Sequence, residues 1–133
     1  MRIPEWTDGE PAVRGAEGAT RRGDALEVPH AAGVTTVEVD FPHIIRTVPI
    51  PDEPTTVAFV EGPVVLAGLV DAEIALSGDA SRPETLLAVD NERQWSQWLT
   101  GYRTVGQPRS VRLAPLHAIA DERFSVYFPV HPA

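Results

Sequence analysis

The chain has 133 residues, no cysteine, and nineteen acidic against eleven basic side chains, for a net charge of −8. Its length fits one domain of ordinary size, residues 1–133. The absence of cysteine excludes a disulfide framework, thiolate metal sites and a cysteine nucleophile, and the acidic balance argues against nucleic acid, which calls for a basic face.

The opening MRIPEW lacks an apolar core, so no signal peptide is expected in it. Further on, Arg2–Trp6, Pro11–Arg14 and Ala25–Val28 read as short strands, with GAEGATRRGD as a turn-rich connection. Val37, Val39 and Phe41 alternate with Thr36, Glu38 and Asp40, the period-two signature of a strand with one buried face. His43–Val48 continues as a second strand, with Ile44 and Arg46 on one face and Ile45 and Thr47 on the other. PIPDEP, 49–54, is a turn.

The most apolar passage, Thr55–Val70, is too short and too interrupted for a membrane span, which needs roughly 20 apolar residues. It is broken by Glu61-Gly62-Pro63. A Gly-Pro step inside a strand pattern predicts a bulge or bend, either one bent core strand or two strands meeting at a corner. Residues 72–89 read as loop with short apolar patches.

NERQWSQWLTGY, 91–102, is the best helix candidate, because Trp95, Trp98 and Leu99 recur at spacings of three and four and Gly101 offers a stop. Residues 110–119 and 123–130 return to strand patterns, the latter with Phe124, Val126 and Phe128 on one face. The expectation is a mainly-β chain, an antiparallel, jelly-roll-like β-sandwich of about seven to nine strands with one short helix.

Chemistry is sparse. His30, His43, His117 and His131 form no HxH or HxxxH pattern, so neither a metal nor another cofactor is expected. The five serines lack a GxSxG setting. Asp52-Glu53 and Asp121-Glu122 are adjacent acids in turns, which suits solvated charges better than paired acid–base catalysis. Trp95, Trp98 and Tyr102 are the candidate ligand-binding residues, since flat aromatic faces stack on sugar rings. At helical spacing the stripe reads first as core packing, then as a ligand platform or an interface with another domain.

Three stretches in order carry a resemblance: Arg2-Ile3-Pro4-x-Trp6; VAFVEGPVVLAG, Val57–Gly68; and LAPLHAIADERFSVYF, Leu113–Phe128. Together they resemble the β-sandwich that follows the catalytic domain of β-L-arabinofuranosidase-like glycoside hydrolases, family 127 and its relatives. Arg123 and Tyr127 are kept and Gly62-Pro63 matches the family's Gly-Pro. Leu116 stands where an aromatic is usual and Ala120 where histidine is. Phe124 and Phe128 replace tyrosine and tryptophan, and Arg14-Gly15 replaces an asparagine-glycine turn.

The resemblance implies a non-catalytic accessory domain, with Arg2, Pro4, Trp6, Gly62, Pro63, Arg123 and Tyr127 as structural residues. The catalytic machinery, a cysteine nucleophile and a cysteine-bound zinc, would lie in an α/α-barrel domain of a parent hydrolase. That barrel is the expected partner, with a homodimer or a bound glycan as further possibilities. The alternative is a stand-alone carbohydrate-binding module.

Overall fold

The computed structural model describes residues 1–30 and 32–133. The protein is mainly β. Among these residues its only helical elements are two 3₁₀ turns, Pro83–Thr85 and Leu116–Ala118, and no helix is long and apolar enough to cross a membrane. The chain divides into two compact units, Met1–Ile44 and Ile45–Ala133.

The first unit holds four three-residue strands: β1 (Ala12–Arg14), β2 (Thr20–Arg22), β3 (Ala25–Glu27) and β4 (Glu38–Asp40). β1 pairs with β4 and β2 with β3, both antiparallel. The expected first strand is reduced to a single bridge between Arg2 and Ala25. It is held by Ile3 N–H donating to the Asp24 carbonyl and Leu26 N–H to the Met1 carbonyl, both at 2.7 Å.

Ile3 and Leu26 are buried here, and Val37, Val39 and Phe41 are half-buried between exposed neighbours, as their alternation predicts. Gly15 (φ 86°) turns the chain where a Cβ would strike the Thr36 carbonyl oxygen, so the Arg14-Gly15 step needs its glycine.

In the second unit β5 (Ile45–Ile50), β6 (Glu53–Glu61), β7 (Val64–Gly68) and β8 (Leu76–Ser77) come first. They are followed by β9 (Leu87–Val89), β10 (Glu92–Gln94), β11 (Gln97–Leu99), β12 (Tyr102–Thr104), β13 (Arg112–Pro115) and β14 (Tyr127–His131). Eight of these join in the order β8-β14-β6-β7-β13-β12-β9, with β5 also on β6. Fourteen strands stand among the described residues against the seven to nine expected, and several of them lie outside the expected strands, including β8 and β9 in the expected loop and β10 and β11 in the expected helix.

The break in the apolar passage is neither a bulge nor a bend. Gly62 (φ 55°) and Pro63 form a two-residue hairpin loop, with Glu61 opposite Val64. Glycine with positive φ at the first loop position suits the twist of a β-hairpin. The corner lies one step later. Val64 and Val65 pair with β6, whereas Leu66, Ala67 and Gly68 pair with β13. β7 thus passes from one ladder to the next and joins two groups of strands into a sandwich-like fold.

The core between those groups contains Val57, Phe59, Leu66, Leu76, Leu113, Phe128 and Val130 among others. Phe59 and Phe128 meet with ring centroids 6.0 Å apart. A Cβ on Gly68 would overlap the Phe128 ring and come within 3.3 Å of Val111, so a side chain there would push the packed elements apart. At the C-terminal end the strand starts at Tyr127. Phe128 and Val130 point inward, while Phe124 precedes the strand and is exposed.

Candidate functional site

Residues 91–102 are not a helix. β10 and β11 form an antiparallel ribbon, Glu92 opposite Leu99, Arg93 opposite Trp98 and Gln94 opposite Gln97. Trp95 (φ 51°) and Ser96 (φ 66°) make the turn, both in the left-handed region, the signature of a type I′ hairpin loop. The spacing that suggested one helical face instead puts Trp98 and Leu99 on opposite faces of a strand. Nor is the stripe core: Trp95 is 92 % exposed and Trp98 69 %.

The ribbon continues the β9–β12 pair, in which Val89 faces Tyr102. Its base is tied at several points. Asp90 N–H donates to the Gly101 carbonyl at 2.9 Å, and Gly101 N–H donates to Asn91 Oδ1 at 3.1 Å. The Arg112 guanidinium donates to Asp90 Oδ2 at 2.8 Å and to the Asp90 carbonyl at 2.9 Å, and lies 3.5 Å from Glu92. A Cβ on Gly101 would crowd both Asp90 O and that guanidinium. At the free end, the Arg93 guanidinium sits over the Trp98 ring, 6.0 Å from its centroid.

Tyr102 does not join the two tryptophans. Its ring belongs to the core, 7 % exposed, and its hydroxyl donates to Glu61 Oε2 at 2.6 Å. Burial, then the bond to Glu61 and that residue's charge, push its ionisation well above the usual tyrosine range. This bond gives Glu61 a role: the acid that interrupts the apolar run is the acceptor for a core tyrosine.

Arg123 and Tyr127, expected as structural residues, line an open groove of about 670 Å³. Its floor includes Thr56 and Val70, and Glu53, Asp71, Glu73 and Glu122 are acids on its wall. Phe124 and Tyr127 are about half exposed there, at 48 % and 52 %. Backbone N–H groups, its own first and then that of Ala120, hold the Glu122 carboxyl below its ordinary range, so it stays ionised. Among the described residues no three His, Asp or Glu side chains converge as a metal site.

Arg2, Pro4 and Trp6 lie in the first unit. Arg2 is exposed and pairs with Glu5 at 3.7 Å and Asp24 at 3.9 Å. The Pro4 carbonyl accepts from Thr7 N–H at 3.1 Å, and the Trp6 ring meets Phe41 and His43 edge-on at 6.1 and 6.0 Å. These residues shape a local turn. Sequence reasoning singled out the exposed tryptophans but missed the groove, whose walls come from segments about 70 residues apart in the chain. No family model, curated protein or solved structure matches this chain.

Proposed function

We propose that the chain is a non-catalytic accessory β-sandwich domain of a glycoside hydrolase acting on arabinose-containing plant glycans, and that it packs on a catalytic α/α barrel. The observation that carries this reading is the place of Gly62-Pro63. In the segment that resembles the hydrolase sandwich, these two residues make the hairpin that launches the corner strand β7. A resemblance confined to architecture is what an accessory domain would retain.

Two measurements test it. The genomic frame upstream of Met1 should run on into a barrel-sized, helix-patterned region with clustered cysteines; a stop codon directly before Met1 would overturn the parentage. The purified chain should release no nitrophenol from 4-nitrophenyl β-L-arabinofuranoside. Turnover abolished by a single acid-to-amide change in this chain would overturn the non-catalytic assignment. A second reading, a carbohydrate-binding module, is favoured by the exposure of Trp95 and Trp98.

A further inference from the structure

We propose that the β10–β11 ribbon is a stacking platform for a neutral oligosaccharide, with Trp95 and Trp98 as its two contact rings. This deepens the carbohydrate-binding reading and does not depend on the hydrolase parentage.

The first argument is conformational. A type I′ loop favours Asn-Gly or Gly-Gly, because both central residues need positive φ. Here those positions hold Trp95 and Ser96. A bulky residue in the left-handed region is disfavoured, and such outliers concentrate where a side chain must be held for use. The second is exposure. Neither indole contributes to the core, so neither is explained by folding.

The third argument is size. A tryptophan side chain offers roughly 150–250 Å², so the pair presents on the order of 300–500 Å². A stable protein–protein contact buries about 800 Å² on each partner. The two rings by themselves are therefore too small for a lasting dimer or domain contact. It is adequate for one or two sugar rings, whose C–H faces are apolar and whose hydroxyls need hydrogen-bond partners. Arg93, opposite Trp98 on the same face of the ribbon, supplies donors beside that ring.

The clamp at the base completes the case. With Arg112 joined to Asp90 and Glu92, the ribbon is held before a ligand arrives, which lowers the entropy lost on binding.

The test is titration of the intact chain with xylohexaose, a β-linked pyranose with an extended C–H face, and with arabinohexaose. Binding would be read by calorimetry and by protection of tryptophan fluorescence from acrylamide. The expected dissociation constant is about a millimolar, typical of a shallow site. Trp98→Ala should weaken binding about tenfold or more and Trp98→Tyr less, and the Trp95→Ala/Trp98→Ala double variant should not bind. All three should keep the wild-type melting temperature, since the rings are exposed.

A Trp95→Asn/Ser96→Gly variant should melt higher and bind more weakly. Failure of both sugars to protect the tryptophans near their solubility limit would overturn the proposal, as would undiminished binding in the double variant. So would self-association seen by sedimentation that the double variant removes, which would make the ribbon a protein contact. None of these results bears on the upstream reading frame, so the two proposals fail separately.

Discussion

Residues Met1–Ile44 bury two large aliphatic side chains among those described, Ile3 and Leu26, whereas Ile45–Ala133 bury a continuous cluster that includes Phe59, Leu66, Leu113 and Phe128. The first unit is laced instead with exposed ion pairs, such as Arg14 with Asp40 at 2.8 Å and Arg21 with Glu10 at 2.9 Å. An exposed pair contributes roughly 0–1 kcal/mol and is screened by salt. Burying one large apolar side chain contributes about 1.5–3 kcal/mol and is not. The same sequence thus contains a unit with little apolar burial and a unit ordered by apolar packing, and the aromatic ribbon belongs to the latter.

The sharpest way to break this contrast is Phe128→Ala. Truncating a fully buried ring should cost about 3–5 kcal/mol, read by denaturant unfolding and by loss of slow-exchanging amides in β6 and β14. Tyr102→Phe comes next, at about 1.5–3 kcal/mol for a hydrogen bond to a charged group. Because folding raises the Tyr102 ionisation, its contribution is complete below the ordinary tyrosine value of about 10. It is lost as pH climbs from there toward the folded value. Melting temperatures of the wild type should therefore fall in strong alkali, and Tyr102→Phe should flatten that decline.

Gly62→Val should cost about 1–2 kcal/mol, because a β-branched residue must adopt the left-handed φ of 55°. An unchanged melting temperature would remove the hairpin from the architecture proposed for β7. The smallest effect is expected in the first unit. Arg14→Ala should change stability by under about 1 kcal/mol, and raised salt should erase the difference, as followed by hydrogen exchange in β1 and β4.

Local pattern was a sound guide where neighbours in sequence decide the outcome. Val37, Val39 and Phe41 alternate as expected, and Ile45 and Thr47 turn inward while Arg46 turns out. It failed at 91–102, where spacings of three and four among Trp95, Trp98 and Leu99 imitate a helix. The turn there lacks the Asn-Gly pair that announces a hairpin. Gly62-Pro63 announced an interruption, but whether a strand bends or reverses depends on which strands lie beside it. Distance in the chain hid the rest. The Tyr102–Glu61 bond joins residues 41 positions apart, and the groove gathers residues from Ile50 to Pro129, so neither leaves a trace in any short window.

The Gly62-Pro63 loop also bears on the order in which the chain acquires structure. It closes the β6–β7 pair with almost no loop entropy, and hairpins of this kind form in about 1–10 μs. The β6–β14 and β12–β13 ladders and the Tyr102–Glu61 bond must instead wait for more distant segments to meet. The hairpin is thus one local nucleus of the second unit, beside the β5–β6 pair, which closes over the two residues between Ile50 and Glu53. Substitutions in it should slow refolding, whereas those at the Trp95-Ser96 tip should act mainly on the rate of unfolding.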